Sequence, residues 1–65
     1  MKNLKVARVL RGITQEELSE RMGVAKNTIS RWERGECNIT AENIRKLCEI
    51  LNFSSDFILG ITDKY

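Results

Sequence analysis

Several polar and basic side chains lie close together in the middle of the sequence. They are Lys26, Asn27, Thr28, Ser30, Arg31 and Arg34. An Asn amide can form two hydrogen bonds with the edge of an adenine, and an Arg guanidinium can do the same with a guanine. Lys, Ser and Thr add hydrogen-bond donors for bases or for phosphate oxygens. These residue types are suited to contacting double-stranded DNA, provided that one helix presents them together.

Helical spacing decides which of these side chains share a surface. Ile29 and Trp32 are three residues apart, so they lie on one side of a helix and are candidates for the core. The polar residues then turn toward solvent. On an arbitrary helix such a surface is most often an ordinary solvated one, so the preceding residues must supply the evidence for function.

A tight turn centred on Gly23 precedes this helix. Glycine adopts a positive φ at little cost, so two short helices joined there cross at a steep angle and the second one projects. The preceding helix opens at Thr14, where Glu17 three residues later completes a capping-box pattern. Residues from about 15 to 34 therefore have the pattern of a helix-turn-helix.

The rest of the chain is also predicted to be helical. It contains no proline, and its apolar residues recur at three- and four-residue spacing. Cap and stop residues predict five helices: helix 1 over Lys2–Arg11 before Gly12, helix 2 from Thr14 to Gly23, helix 3 over Lys26–Arg34 before Gly35, helix 4 after Thr40, and a short helix 5 from Ser54 or Ser55 to Gly60. Helix 4 carries an apolar stripe of Ile44, Leu47, Cys48 and Leu51. Residues 61–65 receive no assignment.

Length and charge limit the possible functions. The chain has 65 residues, which suffices for a single domain over 1–65 and is too short for a separate catalytic cleft. Its 11 basic and 9 acidic residues give a net charge of +2. The charge is unevenly distributed, since residues 1–35 sum to +4 and residues 36–65 to −2. A polyanion is therefore expected to orient on the N-terminal half.

Composition also disfavours whole classes of protein. The sequence has no His, and neither Cys37 nor Cys48 lies beside a plausible base, so we expect no enzyme, no metal site and no cofactor. Both cysteines are interpreted as free thiols in a reducing cytosol. No apolar run approaches the roughly 20 residues of a membrane span, so we expect no membrane association and a cytoplasmic location.

The stretch ITQEELSERMGVAKNTISRWERGE resembles the phage-repressor and Cro-type (Cro/C1-type) helix-turn-helix family. The resemblance continues to the ending SSDFILG and covers nearly the whole chain. It implies a compact all-α, five-helix domain of the lambda-repressor-like type with a central helix-turn-helix. It also implies a small bacterial or phage transcription regulator that binds double-stranded DNA with its third helix in the major groove.

The resemblance implies roles for matching positions. The base-contacting positions would be Lys26, Asn27, Thr28 and Arg31. The phosphate-contacting positions would be Thr14, Gln15, Ala25, Ser30 and Arg34. Two alternatives stay open, because Gln15 could be a plain first-turn residue and the Thr28 hydroxyl could bond back to its own helix.

Two positions depart from the family's pattern. Ala25 stands where the family often has Ser or Thr, so a side-chain cap or phosphate contact is missing and weaker anchoring is expected there. Glu36 matches a position that is often basic in relatives, so it is expected to face the DNA backbone and to lower affinity slightly.

The resemblance also implies a structural ion pair. Arg8 and Glu33 match a pair that bridges helices 1 and 3 in this family, and it would set the angle at which helix 3 is presented. The alternative is two unrelated surface charges.

Helix 1 has a second apolar side formed by Val6, Val9 and Leu10, opposite Leu4 and Ala7. We expect this side to receive Phe57, Ile58 and Ile61 from the C-terminal segment. The alternative is that it is exposed and binds a partner. Weak self-association that strengthens on DNA is also expected, and the candidate contacts are Phe57, Ile58, Ile61 and Tyr65.

Two functional hypotheses follow. The first is sequence-specific binding of double-stranded DNA, as a dimer on an inverted repeat with half-sites about 34 Å apart. The second is a protein-interaction module, such as an antitoxin or an anti-repressor, that uses the apolar surface of helix 1 and the C-terminal segment. No small-molecule effector is expected in either case.

Overall fold

Residues 3–36 and 38–60 are described by a computed structural model, and within them the chain forms five helices and no strand. The helices are α1 (Leu4–Leu10), α2 (Gln15–Met22), α3 (Lys26–Arg34), α4 (Ala41–Leu51) and α5 (Ser55–Leu59). The prediction of an all-α, five-helix fold is confirmed. No helix in the described part of the chain is both long and apolar enough to cross a membrane.

Side-chain caps explain where three of the helices begin. The Thr14 hydroxyl accepts a hydrogen bond from the backbone N–H of Glu17 at 3.1 Å, and the Glu17 carboxylate accepts from the Thr14 N–H at 3.2 Å, as the capping-box pattern predicts. Thr40 caps α4 through the N–H of Asn43, and Ser54 caps α5 through the N–H of Phe57. These capping hydrogen bonds fix the first turns of α2, α4 and α5.

The first helix is shorter than the predicted Lys2–Arg11. It runs from Leu4 to Leu10, with Asn3 as its N-cap. Asn3 is bonded across the molecule, since its side-chain amide donates to the carbonyl of Phe57 at 2.9 Å and its backbone N–H to that of Ile58 at 3.2 Å. These two bonds hold the N-terminus of α1 against α5. Lys2 lies outside the described residues.

One hydrophobic core joins all five helices. Its buried members are Leu4, Ala7, Ile13, Leu18, Met22, Ile29, Trp32, Leu47, Leu51, Phe53, Phe57 and Ile58. Of the predicted α4 stripe, Leu47 and Leu51 are fully buried, whereas Ile44 and Cys48 are half-buried. In a domain of this size such a core leaves little reserve, because truncating one fully buried Leu to Ala typically costs about 2–5 kcal/mol.

The predicted docking of the C-terminal segment onto the second apolar side of α1 is wrong for the residues that the structure describes. Phe57 and Ile58 enter the same core as Leu4 and Ala7 and are 5% and 0% exposed. The opposite side of α1 stays open, with Val6, Val9 and Leu10 at 47%, 57% and 56% exposure. The bonds from Asn3 to α5 explain this choice of side. Ile61 lies outside the described residues.

The end of α4 is held by a residue of the α1–α2 connection. Arg11 donates from Nε to the carbonyl of Leu51 at 2.7 Å and from Nη2 to that of Asn52 at 3.1 Å. Its guanidinium carbon also lies 4.1 Å from the ring centroid of Phe53. Arg11 is therefore committed to holding α4 and to stacking on the core.

Candidate nucleic-acid interface

The turn between α2 and α3 spans residues 23–25. Gly23 ends α2 with φ 72°, in the left-handed region that costs other residues strain. The N–H of Val24 then donates to the carbonyl of Ser19 at 3.0 Å, which folds the turn back on α2. Ser19 is itself buried, and its hydroxyl donates to the carbonyl of Glu16 at 2.6 Å. The predicted helix-turn-helix is therefore present, with its bend at the predicted glycine.

The inward side of α3 is apolar and its outward side is polar. Ile29 is 0% exposed and Trp32 is 4% exposed, which fixes the rotation of the helix about its axis. On α3 itself, four of the predicted DNA-contacting side chains are exposed, namely Lys26, Asn27, Arg31 and Arg34. Thr28 and Ser30 are half-buried at the edges of this surface. The structure thus brings the predicted base-contacting residues together on one side of a single helix.

The N-terminus of α3 is open. Ala25 is its N-cap, is exposed and makes no side-chain cap, as the departure from the family's pattern predicts. The first turn of α3 contains no acidic residue. Backbone N–H groups at a helix start carry a partial positive charge and favour an anion. Thr14 lies exposed at the start of α2, where its hydroxyl serves as the cap.

Arg8 and Glu33 form an ion pair between α1 and α3. Nε of Arg8 lies 2.6 Å from Oε2 of Glu33, and Nη2 lies 3.3 Å from Oε1. The two side chains are only 11% and 5% exposed. Nη1 of Arg8 donates to the carbonyl of Ile13 at 2.9 Å, so the guanidinium also holds the connection before α2. This two-bond geometry ties the C-terminal end of α3 to α1.

Gln15 makes a contact that the sequence pattern does not indicate. Its amide Nε2 donates to Oε1 of Glu33 at 3.0 Å, and the residue is half-buried. Gln15 is therefore more than a plain first-turn residue. The two residues are 18 positions apart in the chain and on different helices, so no local spacing rule could have paired them.

Arg34 is engaged within the protein. It donates to both carboxylate oxygens of Glu36, at 2.7 and 3.3 Å, and to the Ser30 hydroxyl at 2.9 Å. The Arg34 and Glu36 side chains are 56% and 53% exposed, so the pair lies in solvent. The Glu36 carboxylate thus offsets the charge of Arg34, a predicted phosphate-contacting residue. Glu36 is therefore expected to lower affinity for DNA in two ways, by engaging Arg34 and by its own negative charge. Lys26 and Arg31 remain exposed cations on α3.

A concave surface lies between α4 and α5. It is a groove of about 420 Å³ lined by Ala41, Ile44, Arg45, Cys48, Ser55 and Leu59. Burial raises the pKa of the Cys48 thiol above its ordinary value; a backbone hydrogen bond opposes the rise and the charge of Glu49 adds to it. A raised pKa disfavours the reactive thiolate. Across residues 3–36 and 38–60, no cluster of His, Cys, Asp and Glu could hold a metal ion.

Comparison with known proteins finds matches along most of the chain. A family model described as helix-turn-helix matches residues 4–58. The chain is 36% identical over 59 residues to the HTH-type transcriptional regulator ImmR of Bacillus subtilis (strain 168), covering 91% of this chain and 46% of that protein. It is 34% identical over 59 residues to the antitoxin PezA of Streptococcus pneumoniae serotype 4 (strain ATCC BAA-334 / TIGR4), covering 91% and 37%. The chain thus spans less than half the length of these relatives.

Proposed function

The chain belongs to the helix-turn-helix family, as its resemblance to Cro/C1-type repressors predicted, and on this premise we propose that it binds double-stranded DNA sequence-specifically as a transcription regulator. The observation that carries the proposal is the outward side of α3. Asn27 and Arg31 are exposed on it while Ile29 and Trp32 anchor the helix in the core. A helix presented in this way fits the major groove of B-DNA.

Within this proposal the residues divide by what they contact. Base edges are contacted by Lys26, Asn27, Thr28 and Arg31. Phosphates are contacted by Thr14, Gln15, Ser30 and Arg34, and at Ala25 through the backbone at the start of α3. Arg34 must exchange its bonds to Glu36 for a phosphate, which reduces its contribution to binding.

A dimer on an inverted repeat is the second part of the proposal. Two copies of α3 about 34 Å apart would enter successive major grooves on one side of the duplex. Phe57 and Ile58 are withdrawn as dimer contacts, since they are buried in the core of one chain. Val6, Val9 and Leu10 are exposed apolar side chains that stay available. Ile61 and Tyr65, the other predicted contacts, lie outside the described residues.

Selection of duplexes from a random library tests this function directly. We expect enrichment of an inverted repeat, and binding that weakens by about 0.9 log units per log unit of salt for each phosphate neutralised. Arg31→Ala is expected to relax preference at particular base pairs, whereas Gln15→Ala is expected to weaken all duplexes alike.

Lys46→Ala supplies the control, because Lys46 is an exposed cation on α4 rather than on α3. Lys46→Ala should alter the preference for particular base pairs, and the salt dependence of binding, less than Arg31→Ala does. Failure to bind any duplex in dilute buffer, or equal effects of Lys46→Ala and Arg31→Ala, would contradict the proposal.

A second candidate function is binding of a partner protein through α1. Its support is the exposed apolar side of Val6, Val9 and Leu10, together with the similarity to a protein named an antitoxin. The residues of α1 include no acid, so the partner's matching surface would be apolar and acidic. A stable complex with one defined protein, abolished by Val9→Asp, would favour this function if no duplex were enriched from the random library. Contact with DNA through α3 and binding of a partner through α1 use different helices, whereas a dimer formed through Val6, Val9 and Leu10 would compete with the partner for the same side of α1.

A further inference from the structure

The carboxylate of Glu33 is a meeting point of α1, α2 and α3. Its Oε2 accepts from Nε of Arg8 at 2.6 Å, and its Oε1 accepts from Nη2 of Arg8 at 3.3 Å and from Nε2 of Gln15 at 3.0 Å. The Glu33 side chain is 5% exposed. Both carboxylate oxygens are therefore occupied, and the orientation of the carboxylate is fixed by two different helices.

This arrangement orients the amide of Gln15. A side-chain amide nitrogen carries two hydrogens, and one of them is donated to Glu33. The second finds no acceptor among the residues that the structure describes. Gln15 is also the first residue of α2, where backbone N–H groups lack helical partners. The remaining hydrogen is thus held in a fixed direction at the start of α2, although the first turn of this helix also carries the acidic residues Glu16 and Glu17.

Arg8 makes this position usable for binding an anion. The Glu33 carboxylate lies 3.0 Å from the Gln15 nitrogen, so an uncompensated negative charge there would repel a phosphate. Two charge-assisted bonds from Arg8 offset that charge. The ion pair therefore does more than hold α1 against α3, because it supplies an acceptor for Gln15 without leaving an uncompensated negative charge.

We infer that Glu33 is a positioning residue for DNA binding: it holds the Gln15 amide with one hydrogen free for a phosphate oxygen of the duplex. A long amide that is already immobilised loses less conformational freedom on binding than a free one. The inference rests on the proposed DNA-binding function and deepens it. A purely structural ion pair would stabilise the fold and leave the contribution of Gln15 unchanged.

A double-mutant cycle tests this coupling. Gln15→Ala, Glu33→Gln and the double variant are titrated with a fluorescently labelled duplex of random sequence in low-salt buffer, since phosphate contacts do not depend on sequence. We expect Gln15→Ala to weaken binding about tenfold, the typical loss of a hydrogen bond to a charged group. Glu33→Gln should weaken it about threefold in the parent chain, through lost preorganisation, and should add no further loss in the Gln15→Ala chain.

An equal loss from Glu33→Gln in both backgrounds would overturn the inference while leaving the proposed function intact. If the parent chain binds no duplex at all, the proposed function itself falls, and the inference with it. Thermal melting of each variant sets a temperature at which all are folded, so that loss of fold is not read as loss of binding.

Side-chain ¹⁵N relaxation gives a second readout in the free protein. The Gln15 amide should be markedly more ordered than the exposed Asn27 amide, which serves as the matched control. Glu33→Gln should raise the mobility of the Gln15 amide and leave that of Asn27 unchanged. Equal mobility of the two amides in the parent chain would contradict the positioning role.

Discussion

Arg34 and Glu36 show how a single acidic residue can tune an otherwise basic surface. The guanidinium is shared between the Glu36 carboxylate and the Ser30 hydroxyl, which lie just after α3 and on it. An exposed pair of this kind contributes less than about 1 kcal/mol to folding. Its larger effect is on the electrostatic potential that an approaching phosphate meets.

Glu36→Gln is therefore expected to strengthen DNA binding. Releasing Arg34 should raise affinity for any duplex about threefold and steepen the salt dependence by up to about 0.9 log units, equivalent to one more phosphate neutralised. Fluorescence anisotropy over a range of salt concentrations measures both. Glu49→Gln is the matched control, because it removes the same charge from α4. Identical changes in the two variants would show that only net charge matters.

Cys48 couples protonation to folding. Burial raises its pKa in the folded chain, so the folded state keeps the thiol proton at a pH where the unfolded chain releases it. Unfolding then releases a proton, and the free energy of unfolding falls as pH rises above the ordinary thiol range. Below that range the contribution is constant, because the thiol is protonated in both states.

The measurement uses a Cys37→Ser chain, in which Cys48 is the single thiol. Thiolate absorbance should rise at a higher pH in the folded chain than in the urea-unfolded chain. Changing Cys48 to Ser as well should reduce the alkaline loss of stability, and the difference between the two chains isolates this thiol from other titrating groups. A thiol that titrates at or below the pH of the unfolded chain would refute the effect.

At the scale of elements, the α2–α3 turn depends on one backbone conformation. A Cβ built on Gly23 would meet no atom within 4 Å, so the space is open and any cost of substitution is conformational. The same left-handed conformation is adopted by Asn52 at the end of α4, with φ 57°. Asn tolerates this region better than other non-glycine residues.

Gly23→Ala is expected to destabilise the fold by about 1–2 kcal/mol, the usual cost of placing a Cβ in the left-handed region. Gly23→Asn should cost clearly less. Urea denaturation followed by circular dichroism gives both values. The comparison between the two variants is decisive: equal costs, or an Ala variant as stable as the parent, would mean that the turn does not require this conformation.

Sequence patterns predicted the elements whose cause is local. The Thr14–Glu17 capping box, the glycine bend and the inward pair Ile29 and Trp32 all depend on residues a few positions apart, and each is found where expected. The apolar pattern of α1 did not predict which side of this helix faces the core. Apolar side chains occupy two of its sides, and periodicity alone cannot say which side a later helix will cover.

Apart from the Arg8–Glu33 pair, which the family resemblance implied, contacts between distant residues could not be predicted from the sequence. Gln15 with Glu33 and Arg11 with Leu51 both join different elements across at least 18 positions. In each case a long polar side chain reaches a partner that only the packed arrangement of helices brings near. Arg11 would otherwise be counted among the cations available to DNA, although it is committed to the end of α4.

At the scale of the whole molecule, the two ends of the described chain are held together. Asn3 bonds α5 across 54 residues, and Arg11 bonds the end of α4 across 40. The central pair α2 and α3 also lies within the one core that α1, α4 and α5 complete. Unfolding is therefore expected to be a single cooperative transition, because loss of α5 removes support from α1 and, through the shared core, from α3. A peptide limited to residues 13–36 would lack these neighbours, so we expect it to lose the ordered pair of helices that α1, α4 and α5 support in the folded chain.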